Sequence, residues 1–377
     1  MRYLFLSWRD LAHPLAGGSE VLVDRLAAGL AGRGHQVDLL CGGPVGERSY
    51  RVTRVGGAYS QYARVPLHYL RDHRGADVVV DVVNGVPFFS AVWRRGPTVS
   101  LVNHVHTEHW ALWFPAPLAA AGRCLEQRVL PAVYRRRLFV AVSPSTAASL
   151  VAIGIPAEHI RIVPNGVDGG CGPATTSPTK SPEPLFVAVG RLVPHKRLDL
   201  LLRLWEQVRP RVGGRLVIIG DGPERSRLAA MAGPGVSLPG WVTDAEKDRL
   251  LGDAWMLLHP ASVEGWGLVV MEAAVCHTPT LAFDVAGLRD SVVDGHTGTL
   301  VRTEDEFVAA WAHLAGAHEE RRAFGRQAAL RAAEFSWSRT VDLFSEVGEE
   351  ALAWPGGVPR SRLTVPRAEW PEHNGRP

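Results

Sequence analysis

Short apolar runs alternate with amphipathic stretches along most of the chain. Residues 3–7 form an apolar run of strand length, and residues 19–33 carry apolar positions spaced as one face of a helix. Further strand-like runs lie at 36–41, 77–83, 98–102 and 138–142. Repeated strand–helix–strand units indicate a parallel sheet with helices on both faces.

The same alternation restarts after a segment rich in Gly, Pro, Ser and Thr. Strand-like runs follow at 185–189, 215–219, 236–238, 255–259 and 280–283, a helix is predicted over 267–275, and 304–350 has a helical pattern throughout. The pattern therefore predicts an α/β protein with two doubly wound, Rossmann-like domains. We assign residues 1–168 and 185–335 to the two domains, 169–184 to the linker, 336–354 to a helix returning to the first domain, and 355–377 to a Pro/Arg-rich tail.

The amino-acid composition is that of an ordinary two-domain globular protein and does not indicate a binding partner. The chain has 377 residues, of which 46% are hydrophobic and 21% charged, and its net charge of +3 is too small to indicate nucleic-acid binding. The N-terminus is typical of a first strand rather than a signal peptide. The four cysteines lack the paired spacing of a zinc site. We interpret them as reduced thiols and expect a cytoplasmic protein.

The strongest candidate chemistry lies between Glu264 and Glu272. A strand ends near His259, and the loop that follows contains Gly265-Trp266-Gly267 before a helix starts. The free N–H groups and the dipole of a helix start attract anions. A carboxylate repels phosphate but suits hydroxyls, so we expect Glu264 to bind a sugar ring and Glu272 a ribose.

This segment resembles the signature of family 4 of the retaining glycosyltransferases, which have the GT-B fold. That signature has two Glu with seven residues between them and an aromatic residue between glycines after the first Glu; here the aromatic is Trp266, where Phe is commoner. Other segments that agree, in the family's order, are Ala16-Gly17-Gly18-Ser19-Glu20, Pro164-Asn165-Gly166-Val167-Asp168, Val189-Gly190-Arg191-Leu192 with Lys196, Gly220-Asp221-Gly222-Pro223, Gly240-Trp241-Val242 and Asp294-Gly295-His296-Thr297-Gly298. The resemblance covers residues 1–350.

The resemblance implies a basic pair for the donor diphosphate at Arg191 and Lys196. Negative charge grows on the diphosphate as the sugar leaves, and fixed cations stabilise that transition state. The sequence has no Asp-x-Asp metal motif, so we expect no metal and no cofactor. The expected catalytic residues are His104, Arg191, Lys196 and Glu264. The expected donor-binding residues are Gly17, Gly18, Gly190, Arg191, Lys196, Trp241, Val242, Glu264, Gly265, Trp266, Gly267, Leu268, Val269 and Glu272.

A histidine-rich segment departs from the family pattern. The family's histidine, which contacts the donor sugar, would fall on Asn103, and His104 or His106 is the nearest replacement. We select His104. The resemblance further implies a retaining reaction by front-face attack, in which the acceptor hydroxyl approaches beside the departing diphosphate. A UDP- or GDP-sugar is the expected donor, and the acceptor class stays open among lipid, polysaccharide and small natural product.

Several alternatives remain. A phosphorylase or epimerase could use the same fold, although none of the three lysines suits pyridoxal phosphate. A non-catalytic sugar-nucleotide-binding subunit is favoured by one feature, the replacement of the family's histidine by His104. A dinucleotide oxidoreductase needs G-x-G-x-x-G after the first strand, which is missing. Arg135-Arg136-Arg137 and the apolar run 110–122 suggest either a solvated helix face, which we favour, or peripheral contact with the inner face of a membrane.

Overall fold

The computed structural model describes residues 1–107, 110–170 and 179–354, except for the side chain of Leu112. Most of the predicted linker, 171–178, and the predicted tail, 355–377, lie outside the described residues. Within the described residues, no helix combines the length and apolar composition needed to cross a bilayer.

The first half forms a seven-stranded, entirely parallel sheet. Its strands are β1 (Arg2–Arg9), β2 (Gln36–Gly42), β3 (Arg51–Gly56), β4 (Val78–Val83), β5 (Thr98–Val102), β6 (Leu138–Ala141) and β7 (Ile160–Ile162), in the order β3-β2-β1-β4-β5-β6-β7. Its helices are α1 (Gly18–Gly32), α2 (Gln61–His68), α3 (Ser90–Trp93), α4 (Trp110–Trp113), α5 (Ala116–Cys124), α6 (Leu130–Tyr134) and α7 (Pro144–Ala152). The strand order reverses between β1 and β4, where ligands bind in such sheets.

The second half forms a six-stranded parallel sheet. Its strands are β8 (Leu185–Val189), β9 (Arg215–Ile219), β10 (Val236–Gly240), β11 (Met256–His259), β12 (Thr280–Phe283) and β13 (Gly298–Val301), in the order β10-β9-β8-β11-β12-β13. Its helices are α8 (Leu198–Val212), α9 (Arg225–Met231), α10 (Asp244–Asp253), α11 (Leu268–Val275), α12 (Leu288–Ser291), α13 (Glu304–Gly316) and α14 (His318–Ala332). The expected fold class, two doubly wound α/β domains, is confirmed.

The last helix, α15 (Trp337–Ala353), packs on the first sheet. Gly29 of α1 lies so close to Val341 that a β-carbon there would come within 2.4 Å of a Val341 methyl carbon. The ring of Phe344 stacks on Phe5 of β1 with centroids 5.9 Å apart. Helix α15, which follows the second half in sequence, thus connects that half to the first one in addition to the linker.

Two expectations need correction. The segment 304–350 is not helical throughout: the chain leaves helical geometry at Ala317, between α13 and α14, and again at residues 333–336, where Val167 N donates to the Phe335 carbonyl oxygen (2.8 Å). Cys41 and Cys124 are free thiols, but Cys276 is disulfide-bonded, so the expectation of reduced cysteines is wrong for Cys276.

Candidate functional site

The loop between β11 and α11 lies where the two halves meet. Gly265 packs so closely on the backbone after β5 that a β-carbon there would lie 2.3 Å from the carbonyl oxygen of Asn103. Gly267, at the N-cap of α11, has a φ of 81°, in the left-handed region that favours glycine. Both glycines are therefore required by geometry: one by a close approach, the other by its backbone angle.

Glu264 is the acidic residue of this loop, and its surroundings strongly shift its pKa. Its Oε2 lies 2.5 Å from Lys196 Nζ and 3.4 Å from His259 Nε2, and Gly265 N donates to its Oε1 at 3.2 Å. Burial alone would raise the pKa of Glu264, but the positive charge of Lys196 and the His259 ring outweigh it and hold the pKa well below its usual range. The carboxylate stays ionised at neutral pH, so it can only accept hydrogen bonds.

Arg191 reaches across to the glycine-rich loop of the first half. Its Nη1 lies 3.5 Å from the carbonyl oxygen of Leu15, and a β-carbon on Gly17 would lie 3.0 Å from its Nε. A β-carbon on Gly18 would lie 3.3 Å from Leu268 Cδ1. The predicted donor residues of the two halves therefore face each other across a narrow cleft. Gly190 lies at the end of β8, directly before Arg191, with its N–H bonded to the Ile219 carbonyl at 3.0 Å.

Glu272 lies on the second turn of α11 and has a partner that the sequence did not reveal. Lys247 of α10 places its Nζ 2.9 Å from Glu272 Oε1. Sequence reasoning missed Lys247 because the approach of α10 to α11 is a tertiary contact. The rarity of lysine in this arginine-rich chain was the one available signal.

The aromatic and aliphatic residues that are predicted to bind the donor differ in how deeply their side chains are buried. Trp266 is 2% exposed, and its ring centroid lies 5.1 Å from that of Phe335, so its indole packs in the core while its backbone forms part of the loop. Trp241, directly after β10, is 64% exposed. Val242 and Val269 are half-buried against the apolar cluster beneath the second sheet.

The histidine-rich segment is organised by a buried acid. Glu126 accepts from His106 N at 2.6 Å, from Thr107 Oγ1 at 3.0 Å and from Trp110 Nε1 at 3.3 Å. His104 lies nearer the donor loop, since its Cβ would be 3.7 Å from a β-carbon on Gly265. The two histidine rings are 3.9 Å apart.

Asn103, at the family's histidine position, is held by the first half itself. Its Nδ2 donates to Ser19 Oγ at 3.0 Å, and its carbonyl oxygen accepts from Thr146 Oγ1 at 3.0 Å. Asn84 Nδ2 also lies 3.1 Å from Ser19 Oγ. An uncharged amide–hydroxyl cluster thus lies at the carboxyl ends of β4 and β5, at the switch point of the sheet.

Among the described residues, no group of three or more His, Cys, Asp or Glu side chains is arranged to hold a metal ion. The cleft carries the positively charged side chains of Arg191 and Lys196. Both residues follow strand β8; Lys196 Nζ contacts Glu264 of the loop after β11, and the Arg191 side chain lies against the Gly17 loop of the first half.

Two family models match the chain, one for each half. Residues 16–169 match Glycosyltransferase Family 4, and residues 175–331 match Glycosyl transferases group 1. The chain is 33% identical over 260 residues to a D-inositol 3-phosphate glycosyltransferase of Nocardia farcinica, covering 61% of this chain and 57% of that protein. It is 30% identical over 277 residues to the enzyme of that name from Rhodococcus erythropolis, covering 67% and 62%. The matched part thus spans less than two thirds of these relatives.

Solved structures share the fold at low identity. A sucrose-phosphate synthase from Thermosynechococcus elongatus superposes with a TM-score of 0.78 at 19% identity, covering 93% of this chain and 99% of that one. Anabaena HepE, solved in complex with UDP-glucose, superposes with a TM-score of 0.72 at 18% identity, covering 94% and 100%. With the two family models matching the two halves in order, the chain belongs to glycosyltransferase family 4 and has the GT-B fold.

Proposed function

We propose that the chain transfers a sugar from a nucleotide-diphosphate sugar to an acceptor hydroxyl. The observation that carries this proposal is the ion pair between Lys196 and Glu264 beside Arg191, on the side of the cleft that faces the Gly17–Gly18 loop. One carboxylate that is ion-paired with Lys196, together with a second cation at Arg191, suits a donor that has sugar hydroxyls at one end and a diphosphate at the other. The solved UDP-glucose complex of HepE, a protein of the same fold, supports this type of donor.

The proposed reaction is retaining and needs no divalent metal. Arg191 and Lys196 supply the positive charge that the departing diphosphate requires. The acceptor hydroxyl attacks from the face of the leaving diphosphate, whose oxygen takes its proton, so the protein contributes position and charge. Ionised Glu264 accepts hydrogen bonds from the sugar hydroxyls. Glu272 accepts them from the ribose.

A thermal-shift screen with UDP-, GDP-, ADP- and dTDP-sugars tests the proposal. We expect the nucleotide sugars of one base to raise Tm clearly more than the others do, because we assign Glu272 and the Trp241–Val242 segment to one nucleoside site. Release of the free nucleoside diphosphate, measured with that donor and water or an added hydroxyl compound as acceptor, then tests for turnover. A chain that no nucleotide sugar stabilises would contradict the proposal.

A non-catalytic sugar-nucleotide-binding subunit remains the second candidate. Asn103 favours it, because its amide is committed to Ser19 where the family has a histidine. Binding of the donor without any release of nucleoside diphosphate by the purified chain would support this candidate. Slow hydrolysis of the donor by the chain alone would exclude it.

Replacing His104 tests which histidine serves the donor sugar. We expect His104→Ala to lower kcat/KM about tenfold, the loss typical of one hydrogen bond to a substrate. His106→Ala should have a smaller effect, since Glu126 also holds that segment through Thr107 and Trp110. Steady-state kinetics with the screened donor measure both. A larger loss for His106→Ala would reverse the assignment.

Peripheral contact with a membrane is a separate proposal. Its support is the exposure of Trp113, Phe114 and Leu118 on α4, α5 and the turn between them. Co-sedimentation with vesicles that contain anionic lipid, compared with neutral vesicles, tests it. Equal recovery in the supernatant of both would favour the solvated-face interpretation.

A further inference from the structure

Lys247 joins two segments of the proposed donor site. It lies on α10, whose first turn is capped by Thr243, directly after Trp241 and Val242; the Thr243 hydroxyl accepts from Glu246 N at 3.2 Å. From there its Nζ reaches Glu272 Oε1 on α11 at 2.9 Å. One lysine thus links the segment after β10 to the acid on which the ribose assignment rests.

The Lys247–Glu272 pair is partly shielded from water. The Lys247 side chain is 19% exposed and that of Glu272 30%. Burial by itself lowers the pKa of Lys247, but the charges of Glu272 and of Asp244, which lies 3.3 Å from the ammonium, outweigh it and raise the pKa above its ordinary value. Lys247 is therefore a cation throughout the neutral range, and the ion pair persists across it.

An ion pair of this kind orders the carboxylate before any ligand arrives. A glutamate side chain loses rotamer entropy when it is fixed in one conformation. A partner that fixes it in advance removes this cost from ligand binding. The ammonium takes Oε1, which leaves Oε2 to accept hydrogen bonds from a ligand.

We propose that Lys247 is a positioning residue for the donor's ribose, acting through Glu272. It fixes the Glu272 carboxylate so that Oε2 meets the ribose hydroxyls, and it connects that contact to the Trp241–Val242 segment, which directly precedes the N-cap of the helix that carries Lys247. The inference rests on the proposed function, because it takes Glu272 as the ribose contact. Lys247 would therefore affect the affinity for ribonucleotides, whereas the charge stabilisation by Arg191 and Lys196 would not depend on it.

Calorimetric titration with UDP and with 2′,3′-dideoxyuridine 5′-diphosphate tests the inference. We expect Lys247→Met to weaken UDP binding about tenfold, the loss typical of a weakened hydrogen bond to a charged group. The dideoxy nucleotide offers Glu272 no hydroxyl, so its affinity should change little, and the preference for UDP should shrink. Lys247→Arg keeps the cation and should retain most of the preference.

Arg249→Met is the matched control. Arg249 lies on the same helix and pairs with Glu246 and Asp253, away from Glu272. We expect it to bind both nucleotides as the wild type does. An unchanged Kd for UDP in Lys247→Met, or an equal loss for both nucleotides, would overturn the inference.

The failure of the proposed function is distinguishable from the failure of this inference. If the wild type binds none of UDP, GDP, ADP and dTDP, the proposed function fails and the inference falls with it. If the wild type binds UDP and prefers it to the dideoxy form, but Lys247→Met keeps that preference, only the role of Lys247 is contradicted.

Discussion

Replacing Lys196 with methionine lowers kcat by roughly 10²–10³-fold, the cost of removing one fixed group that stabilises transition-state charge. Glu264 holds the Lys196 ammonium at 2.5 Å, so the charge is in position before the donor binds. Arg191 remains and retains part of the stabilisation. The loss should appear in kcat more than in donor affinity, because charge on the leaving diphosphate grows in the transition state.

Release of the nucleoside diphosphate under saturating donor measures this effect, and two variants control it. Lys196→Arg keeps a cation and should recover much of kcat. Arg197→Met removes the neighbouring cation, whose guanidinium lies 3.3 Å from Glu304 instead of facing Glu264, and should leave kcat nearly unchanged. Equal kcat for Lys196→Met and the wild type would remove Lys196 from the proposed mechanism.

Replacing Trp266 with alanine destabilises the protein by about 3–5 kcal/mol, the range for a large aromatic side chain deleted from a core. The indole is 2% exposed and packs on Phe335, the residue whose carbonyl accepts from Val167 where the chain returns to the first half. Trp266 therefore joins the donor loop to the start of α15. Its loss removes packing between the two halves.

Urea unfolding followed by circular dichroism measures this effect, and Trp241→Ala is the matched control. Trp241 is the same residue type in the same half but is 64% exposed, so we expect its replacement to change stability by less than about 0.5 kcal/mol. Equal destabilisation by the two replacements would contradict the buried role of Trp266.

Most of the strand order was predictable because buried parallel strands are nearly continuous apolar runs. The strands that the sequence did not predict lack this signal. Strand β3 at the sheet edge carries Arg51 and Arg54, β7 has three residues, and β13 begins with the glycine that closes a recognised loop motif. Edge strands need less apolar sequence, so their pattern resembles that of loops.

The residues of the candidate site also differ in whether the sequence alone could identify them. Lys196 and Glu264 are 68 positions apart, yet both lie in segments that resemble the family, so the resemblance alone predicts that they share one site. Lys247 lies in no recognised motif and could be found only from the packing of α10 on α11. Trp266 shows the converse. Its motif identified it as a donor residue, but only the fold reveals that its side chain points into the core.

Calorimetric titration of the screened nucleotide sugar into Arg191→Ala and Glu272→Ala tests the central claim most directly. Each variant loses contacts to one part of the donor, the diphosphate or the ribose. We therefore predict that each raises Kd by roughly 10–100-fold, as expected for hydrogen bonds that involve a charged group. Arg302→Ala, at a position whose side chain is 83% exposed, should bind as the wild type does. Wild-type affinity in both Arg191→Ala and Glu272→Ala would contradict the assignment of the donor site.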